Sequence, residues 1–178
     1  MRTQYRLTVV LVVVSGSVDA APVRGDVELD PAAYALSGDS IHVGIGYGRF
    51  RFDLGTFGLE VPRFLHTNDA FDVVFDGYGL KLQWFRCSEQ TGLFVGVDAS
   101  VARFEVHRRG TDLAIHDHQI GTGVNIGYRV ALPANFYVTP WIGVGYQWGA
   151  DDVVLGGERF EANRFTLFPA VHLGYRFR

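Results

Sequence analysis

The sequence contains a single cysteine, Cys87, and a single lysine, Lys81, among its 178 residues. One cysteine excludes an intrachain disulfide, and we interpret Cys87 as a small, unreactive residue near a strand end. No zinc-type spacing of cysteine and histidine, no P-loop and no nucleotide-binding fingerprint is present. The formal net charge of −3 gives no electrostatic basis for binding nucleic acid. The sequence therefore predicts neither a cofactor nor a nucleic-acid partner.

Long apolar runs are missing beyond the first twenty residues. Residues 7–14 form a short apolar run that follows two arginines, and the small residues around Ala20 offer a cleavage site. This pattern predicts a cleaved secretory signal peptide over residues 1–20 and a mature domain over residues 21–178. The apolar run is too short to cross about 30 Å of hydrocarbon as a helix. The mature chain is thus expected to have no transmembrane helix, which leaves crossing by β-strands open.

Alternation of bulky apolar residues with small or polar ones dominates the mature sequence. Over residues 119–132 one face carries Ile, Thr, Val, Ile, Tyr, Val and Leu, and the other carries Gln, three Gly, Asn and Arg. Period-two alternation predicts a β-strand with two unlike faces. The same pattern predicts further strands over residues 41–47, 78–84, 93–101, 136–148 and 165–177. Weaker strands, each interrupted by a proline, are predicted over residues 27–36 and 57–65.

The connectors between these eight predicted strands alternate in length. Short connectors are predicted at residues 54–56, 87–91 and 133–135. Longer, polar connectors are predicted at residues 66–75, 108–117 and 149–163. Because short and long connectors fall at opposite ends of the strands, the order predicts an up-and-down antiparallel meander.

The composition of the less apolar strand face decides which solvent the other face meets. A sheet surface that faces water should be rich in Lys, Glu and Thr, whereas this face consists mainly of Gly. Glycine suits the interior of a narrow barrel, and the bulky face would overfill that interior. The sequence therefore predicts an eight-stranded antiparallel up-and-down transmembrane β-barrel with its apolar face toward lipid.

Aromatic residues fall near both predicted ends of the strands, as membrane barrels require at their two water–lipid boundaries. The short-connector ends carry Trp84, Tyr128, Phe136, Tyr175 and Phe177, and the long-connector ends carry Trp148 and Phe165.

The last strand presents Val171, Leu173, Tyr175 and Phe177 on one face. This pattern resembles the C-terminal assembly signal of bacterial outer-membrane barrels, although Arg178 follows the aromatic on which such chains usually end. The mature chain as a whole resembles the small eight-stranded outer-membrane proteins of the OmpA-barrel, OmpX and OmpW kind. The resemblance implies residence in the outer-membrane lipid of a Gram-negative bacterium and delivery by the barrel-assembly machinery. It also implies a structural or surface-interaction role, with passage of small solutes as a variant, and it leaves the partner of the long loops unknown.

Seven polar residues are predicted to line the barrel lumen. They are Lys81, Asp98, Asn125, Arg129, Gln147, His172 and Arg176. They could form a polar path or ligand site, or a structural network in which each buried charge is paired because an unpaired one is costly. The network is preferred because an eight-stranded lumen is normally filled by side chains. Lys81 and Asp98 lie on neighbouring strands and are expected to pair.

A metal site and an enzyme are two further interpretations of the sequence. His116 and His118 could share a strand face with help from Asp112 or Asp117, but two histidines fall short of a usual zinc site, so no metal is predicted. A lipid A-modifying outer-membrane enzyme is one alternative function. The stretch from His66 to Asp69, HTND, does not match the His-x-Ser-Asn type motif of such deacylases, and no catalytic residue is predicted.

A soluble periplasmic carrier of the lipocalin kind is the other alternative. It would need the aliphatic strand face to point inward, which is the opposite polarity to the membrane barrel.

Overall fold

The computed structural model describes residues 22–62 and 68–177. Its strands are β1 (Val23–Leu29), β2 (Asp39–Tyr47), β3 (Phe50–Glu60), β4 (Phe71–Phe85), β5 (Gly92–Arg108), β6 (Ala114–Ala131), β7 (Phe136–Trp148), β8 (Val153–Leu155), β9 (Glu158–Phe160) and β10 (Phe165–Arg176). A short helix, α1 (Pro31–Ala35), follows β1, and a 3₁₀ turn (Pro133–Asn135) precedes β7.

Eight of the described strands close into a barrel in the order β1-β10-β7-β6-β5-β4-β3-β2, and every pair is antiparallel. Neighbours in the barrel are neighbours along the chain, apart from the small hairpin of β8 and β9 and the closing pair of β1 and β10. The predicted eight-stranded antiparallel up-and-down barrel is therefore confirmed.

The bulky strand face points outward. Val124 and Val144, for example, are 54% and 53% exposed and pair with each other across β6 and β7. The glycines and polar residues between them point into the lumen. This polarity removes the basis for a soluble carrier with an aliphatic interior.

The predicted boundaries before residue 76 were partly wrong. Residues 54–56 lie inside β3, and the short turn is instead formed by Gly48 and Arg49. Gly48 has a φ of 53°, which glycine adopts without the steric cost that a side chain brings. Gly55 suggested a turn, but it faces His42 across the β2–β3 pair, where a side chain would overlap the imidazole.

The strand predicted over residues 27–36 ends at Leu29. Asp30 then caps α1, its carboxylate accepting a hydrogen bond from the backbone N–H of Ala32 at 3.0 Å. Pro31 occupies the first helical turn, where its missing N–H costs nothing. The strand predicted over residues 57–65 contributes its first four residues to β3, and residues 63–67 lie outside the described part of the chain.

The predicted long connectors contain more structure than expected. β4 begins at Phe71 and β6 begins at Ala114, so both extend into segments predicted as loops. The connector over residues 149–163 holds the hairpin of β8 and β9. Its residues Leu155 and Phe160 pack on a small core of Phe71, Val73 and Val106 on the lumen side of β4 and β5. The end of the barrel that carries the long connectors is therefore a folded cap.

Residues 1–20 and Arg178 lie outside the described chain, so the signal peptide stays a prediction. Within residues 22–62 and 68–177, no helix is long and apolar enough to cross a membrane.

Candidate functional site

A cluster of buried charges fills the half of the lumen next to the short turns. Strand β1 contributes Asp26 and Glu28, strand β3 contributes Arg51 and Asp53, and strand β6 contributes Arg129. Period-two alternation turns all five side chains inward, and all are buried. We call this set the ionic network.

Arg51 is the centre of the ionic network. Its Nε donates to both carboxylate oxygens of Asp26, at 3.1 and 3.0 Å, and its Nη2 donates to Oδ1 of Asp26 at 2.5 Å. The same Nη2 lies 2.9 Å from Oδ2 of Asp53 and 3.4 Å from Oε1 of Glu28. Nη1 donates to Oε1 of Gln83 at 2.9 Å. One guanidinium thus holds three carboxylates, a geometry that suits its planar array of donors.

Arg129 supplies the second guanidinium. Its Nη2 donates to Oε1 of Glu28 at 2.5 Å, and its Nε donates to Oγ1 of Thr139 at 3.2 Å. The guanidinium carbon lies 4.1 Å from the ring centroid of Tyr137 and 4.9 Å from that of Phe85. These two aromatic rings stabilise the buried cation by cation–π contact.

Two histidines bind carboxylate oxygens of the network. Nδ1 of His42 forms a hydrogen bond of 2.9 Å with Oδ1 of Asp53, and Nδ1 of His172 forms one of 2.9 Å with Oε2 of Glu28. The two imidazole rings lie 5.0 Å apart between centroids. Each carboxylate oxygen that the arginines leave on these two acids therefore has a histidine partner.

The predicted pairing of Lys81 with Asp98 is replaced by a different arrangement. The two residues are opposite each other in the β4–β5 register, but the ammonium of Lys81 lies 3.6 Å from Oδ1 of Asp53 and 4.8 Å from the Trp141 ring centroid. Asp98 accepts a hydrogen bond of 2.9 Å from Nδ2 of Asn125. Lys81 turns to Asp53 because that buried carboxylate needs compensating charge more than the half-buried Asp98 does.

The turn between β4 and β5 closes the lumen below the ionic network. Gln90 is fully buried and donates to the backbone carbonyls of Gly48 and Phe50, at 3.0 and 2.9 Å. Arg176 donates to the carbonyls of Glu89 and Gln90, at 2.9 and 3.2 Å, which ties the last strand to the same turn. We call this turn with its inserted Gln90 side chain the floor plug.

The half of the lumen next to the cap is lined more openly. Gly123, Gly145, Thr166 and Trp141 face the lumen and are half-buried, as is Gln147 nearby. Phe168 also lies on this side, with its ring 5.8 Å from that of Trp141, and is 38% exposed. We call this part of the lumen, lined by Gly123, Gly145, Thr166, Trp141 and Phe168, the vestibule.

All seven residues predicted to line the lumen lie on its inner face, but they do not form one site. Arg129 and His172 belong to the buried charge cluster, Lys81 joins it through Asp53, and Arg176 holds the floor plug. Asp98 and Asn125 bind each other beside the vestibule, and Oε1 of Gln147 has no hydrogen-bond partner among the described residues.

Sequence reasoning missed four of the five members of the ionic network and one of its two histidine partners. These were Asp26, Glu28, His42, Arg51 and Asp53. They lie on β1, β2 and β3, and the boundaries of β1 and β3 were misplaced. The signal was present, because Asp26 and Glu28 are separated by Val27, and Arg51 and Asp53 are separated by Phe52.

His116 and His118 lie outside the lumen, at the cap end of β6. Nδ1 of His116 is 3.4 Å from Oε2 of Glu105, and Nε2 of His107 is 2.5 Å from the other oxygen of that carboxylate. His118 is exposed. Across residues 22–62 and 68–177, no three His, Cys, Asp or Glu side chains are grouped so that they could hold a metal ion.

Comparison with known proteins finds structures that share the fold of this chain. A family model described as a protein of unknown function, DUF3575, matches residues 77–161. The chain is similar to the crystal structure of Neisserial surface protein A, NspA, with 16% identity and a TM-score of 0.50 over 86% of this chain and 94% of that one. The predicted resemblance to small eight-stranded outer-membrane barrels is confirmed at the level of fold.

A second similar structure is the N-terminal β-barrel domain of Pseudomonas aeruginosa OprF. It shares 14% identity and gives a TM-score of 0.46 over 87% of this chain and 96% of that one. No curated protein matches the sequence. Identities this low carry the architecture and not the activity.

Proposed function

We propose that this chain is an integral protein of a Gram-negative outer membrane with a structural and surface-interaction role. The observation that carries the proposal is a sealed barrel with an apolar exterior and a folded cap. The outward belt of Val, Ile, Leu and aromatic residues would be costly in water and is what a lipid environment requires. The closed ring of strands leaves few backbone groups to be satisfied by solvent.

The lower lumen argues against the variant in which small solutes pass. The ionic network and the floor plug occupy successive levels of the same narrow interior, and Arg51 and Gln90 are fully buried. A solute would have to displace a guanidinium that binds three carboxylates. We therefore propose a barrel that does not conduct in this state.

The cap supports the surface-interaction part of the proposal. β4, β5 and β6 have 15, 17 and 18 residues, more than the nine to eleven or so that span a bilayer as a tilted strand. Outside the belt they carry charged pairs such as Asp76 with Arg103, 2.8 Å apart on the outward face. An ordered platform of this kind can present a defined surface to a partner. A disordered loop would lose conformational entropy on binding the same partner.

The assembly signal predicted from the sequence belongs to the same proposal. Val171, Leu173 and Phe177 are exposed on the outward face of the last strand and its extension, and Tyr175 is half-buried beside them. We propose that this edge is the one recognised by the barrel-assembly machinery. A lipid A-modifying enzyme has no supporting observation among the described residues.

Two measurements test the proposal. In isolated outer membranes, the mature protein should resist carbonate extraction and migrate differently on detergent gels before and after boiling. In planar bilayers, the purified barrel should give no stepwise conductance. Release into the soluble fraction would overturn the membrane location, and steady channel openings would overturn the sealed lumen.

A further inference from the structure

The arginines at the two ends of the barrel differ in their partners. At the cap end, four arginines lie 2.5 to 3.5 Å from an aspartate carboxylate, and these are Arg103, Arg109, Arg159 and Arg164. At the end that carries the short turns, which we call the turn end, Arg49 and Arg86 are exposed. Neither side chain has an ion-pair partner among the described residues. We call these two residues the arginine pair.

The other charged groups of the turn end outside the ionic network have partners of their own. Arg24 donates to the backbone carbonyl of Ser88, and Arg176 donates to those of Glu89 and Gln90. The carboxylate of Glu89 accepts a hydrogen bond of 3.1 Å from the hydroxyl of Ser88. The positive charge of the arginine pair is therefore not neutralised by the described part of the chain.

The backbone holds the two members of the arginine pair at neighbouring strand ends. The carbonyl of Arg49 accepts a hydrogen bond of 2.7 Å from the N–H of Phe85, the residue before Arg86. The N–H of Arg86 donates to the carbonyl of Leu93 at 3.0 Å. Gln90 of the floor plug binds the carbonyls on either side of Arg49. Like charges on neighbouring strands repel each other, so an anion bound at this place would stabilise both.

A row of aromatic residues borders the arginine pair on the outward face. Phe50 pairs with Tyr47 on one side and with Trp84 on the other, and all three side chains are exposed. Arg49 comes directly before Phe50, and Arg86 comes two residues after Trp84. Aromatic residues of membrane barrels lie at the level of the lipid headgroups. In an inserted barrel, the arginine pair would therefore lie at the headgroup edge of the apolar belt.

We propose that the arginine pair and this aromatic row bind the headgroup of an anionic phospholipid. The inference rests on the proposed function, because only an inserted barrel brings the aromatic row to the level of the headgroups. A guanidinium presents a planar array of donors that matches the oxygens of a phosphate. Phosphatidylglycerol has a net negative charge, whereas the phosphate of phosphatidylcholine is compensated by its own ammonium. Two guanidiniums without a carboxylate should therefore select phosphatidylglycerol.

The surroundings of the arginine pair favour a lipid over a soluble acidic partner. Beyond the aromatic row, Phe52 and Leu82 pair with each other and are exposed in the apolar belt. A phospholipid can place its phosphate against the guanidiniums and its acyl chains on these two side chains. A soluble acidic protein would use the charges alone. One phospholipid thus matches the cations, the aromatic row and the belt together.

Single-tryptophan proteins test the inference, since Trp84 belongs to the aromatic row and the chain has two other tryptophans. Trp141→Phe with Trp148→Phe leaves only Trp84. Trp84→Phe with Trp141→Phe leaves only Trp148, which is exposed at the cap end and serves as the control. Each protein is refolded into mixed vesicles of phosphatidylglycerol and phosphatidylcholine, in which one lipid or the other carries bromine in its acyl chains. The ratio of the two quenching signals measures the preference of each tryptophan's surroundings for phosphatidylglycerol.

Brominated phosphatidylglycerol should quench Trp84 more than brominated phosphatidylcholine does at the same mole fraction, and Trp148 should show no such preference. In the Trp84-only protein, Arg49→Gln with Arg86→Gln should lower the preference by at least about fivefold, the effect of one cation near an anionic headgroup. Arg49→Lys with Arg86→Lys should retain a preference, because both charges are kept.

Two further measurements guard the test. Arg103→Gln in the Trp84-only protein should leave the preference unchanged, because Asp76 already neutralises Arg103. If the double glutamine variant loses its heat-modifiable, folded form, the salt dependence of the Trp84-only protein decides instead. Added salt screens exposed charges, so a preference that does not fall as the salt concentration rises would contradict the inference.

The outcomes separate this inference from the proposed function. If both lipids quench Trp84 equally, if the preference survives the loss of both arginines, or if Trp148 shows the same preference, the inference is wrong and the membrane barrel stands. If neither lipid quenches either tryptophan, the proposed membrane location is wrong. If phosphatidylglycerol is not preferred and polyglutamate binds the barrel in phosphatidylcholine vesicles through the same two arginines, the partner is a soluble acidic molecule and the lipid assignment is wrong.

Discussion

Arg51 on β3 reaches across β2 and donates three hydrogen bonds to the carboxylate of Asp26 on β1, with N–O distances between 2.5 and 3.1 Å. Gly44 on β2 lies opposite Asp26 in the register, and a side chain there would overlap both the Asp26 carboxylate and the Arg51 guanidinium. This ion pair links β1 to β3 inside the lumen, across the intervening strand β2.

Replacing Arg51 with Met should strongly destabilise the barrel. The change keeps much of the side-chain volume but leaves Asp26, Glu28 and Asp53 without their shared cation, which costs about 3–5 kcal/mol for a broken buried pair. Guanidinium unfolding of the detergent-refolded protein measures the loss. Arg103→Met, which removes an exposed pair with Asp76, should cost about 1 kcal/mol or less. Equal losses in the two variants would contradict the central role of Arg51.

Gly44→Ala should destabilise the barrel although it adds a single methyl group. The new Cβ would overlap the guanidinium of Arg51 and the carboxylate of Asp26, both of which are held by ion pairs and cannot move aside freely. Gly79→Ala is the matched control, because its Cβ would lie 3.3 Å from the edge of the Phe57 ring, which can shift. The midpoints of guanidinium unfolding of the two variants are compared. A larger drop in midpoint for Gly79→Ala than for Gly44→Ala would show that Gly44 is not required to leave space for the ion pair.

Val124→Arg should impair membrane insertion. A charge at a lipid-facing position near the bilayer centre costs roughly 2–4 kcal/mol. The control is Val154→Arg, since Val154 is exposed on the hairpin of the cap, away from the belt. The readout is the heat-modifiable fraction in outer membranes. Gly123→Arg should act differently, by crowding the vestibule. Normal assembly of Val124→Arg would mean that the inside and outside faces are exchanged.

Acid should loosen the hairpin of the cap before it affects the barrel. Arg159 donates to Asp152 at 2.5 Å and the N–H of Ala162 donates to it at 2.9 Å, and these hydrogen bonds hold the pKa of the Asp152 carboxyl below its usual value. A lowered folded-state pKa stabilises the hairpin above the unfolded pKa of about 3.9, and the stabilisation is lost as the pH falls through the folded pKa. Hydrogen exchange at the hairpin amides, compared in the wild type and Asp152→Asn, measures this. The variant should lack the acid-dependent change.

The sequence predicted the later strands better than the earlier ones. β6 keeps a strict two-residue period from Gln119 to Arg129, because one face must meet the belt and the other the lumen. Asn125 and Arg129 are buried in the structure. The turn between β2 and β3 was predicted at the wrong glycine. Gly48 serves a turn, whereas Gly55 makes room for His42, and the two uses look alike in a sequence.

Short elements also escaped sequence reasoning for a physical reason. α1 has five residues, too few to display a helical period, and β8 and β9 have three residues each. Gly156 and Gly157 between those two strands, with φ of 57° and 88°, were the available signal for a tight hairpin turn. The partners within the ionic network depend on which strands become adjacent across the lumen, which local sequence does not encode.

Strand length rises from seven residues in β1 to eighteen in β6 and falls again to twelve in β10. The rim of the barrel at the cap end is therefore high at β5 and β6 and low at β1, where α1 follows. A molecule of this shape has a front and a back within the plane of a membrane. A neighbouring protein in the membrane would therefore meet a high rim on one side of the barrel and a low rim on the other. Its contacts would depend on the rotation of the barrel about its axis as much as on its depth in the bilayer.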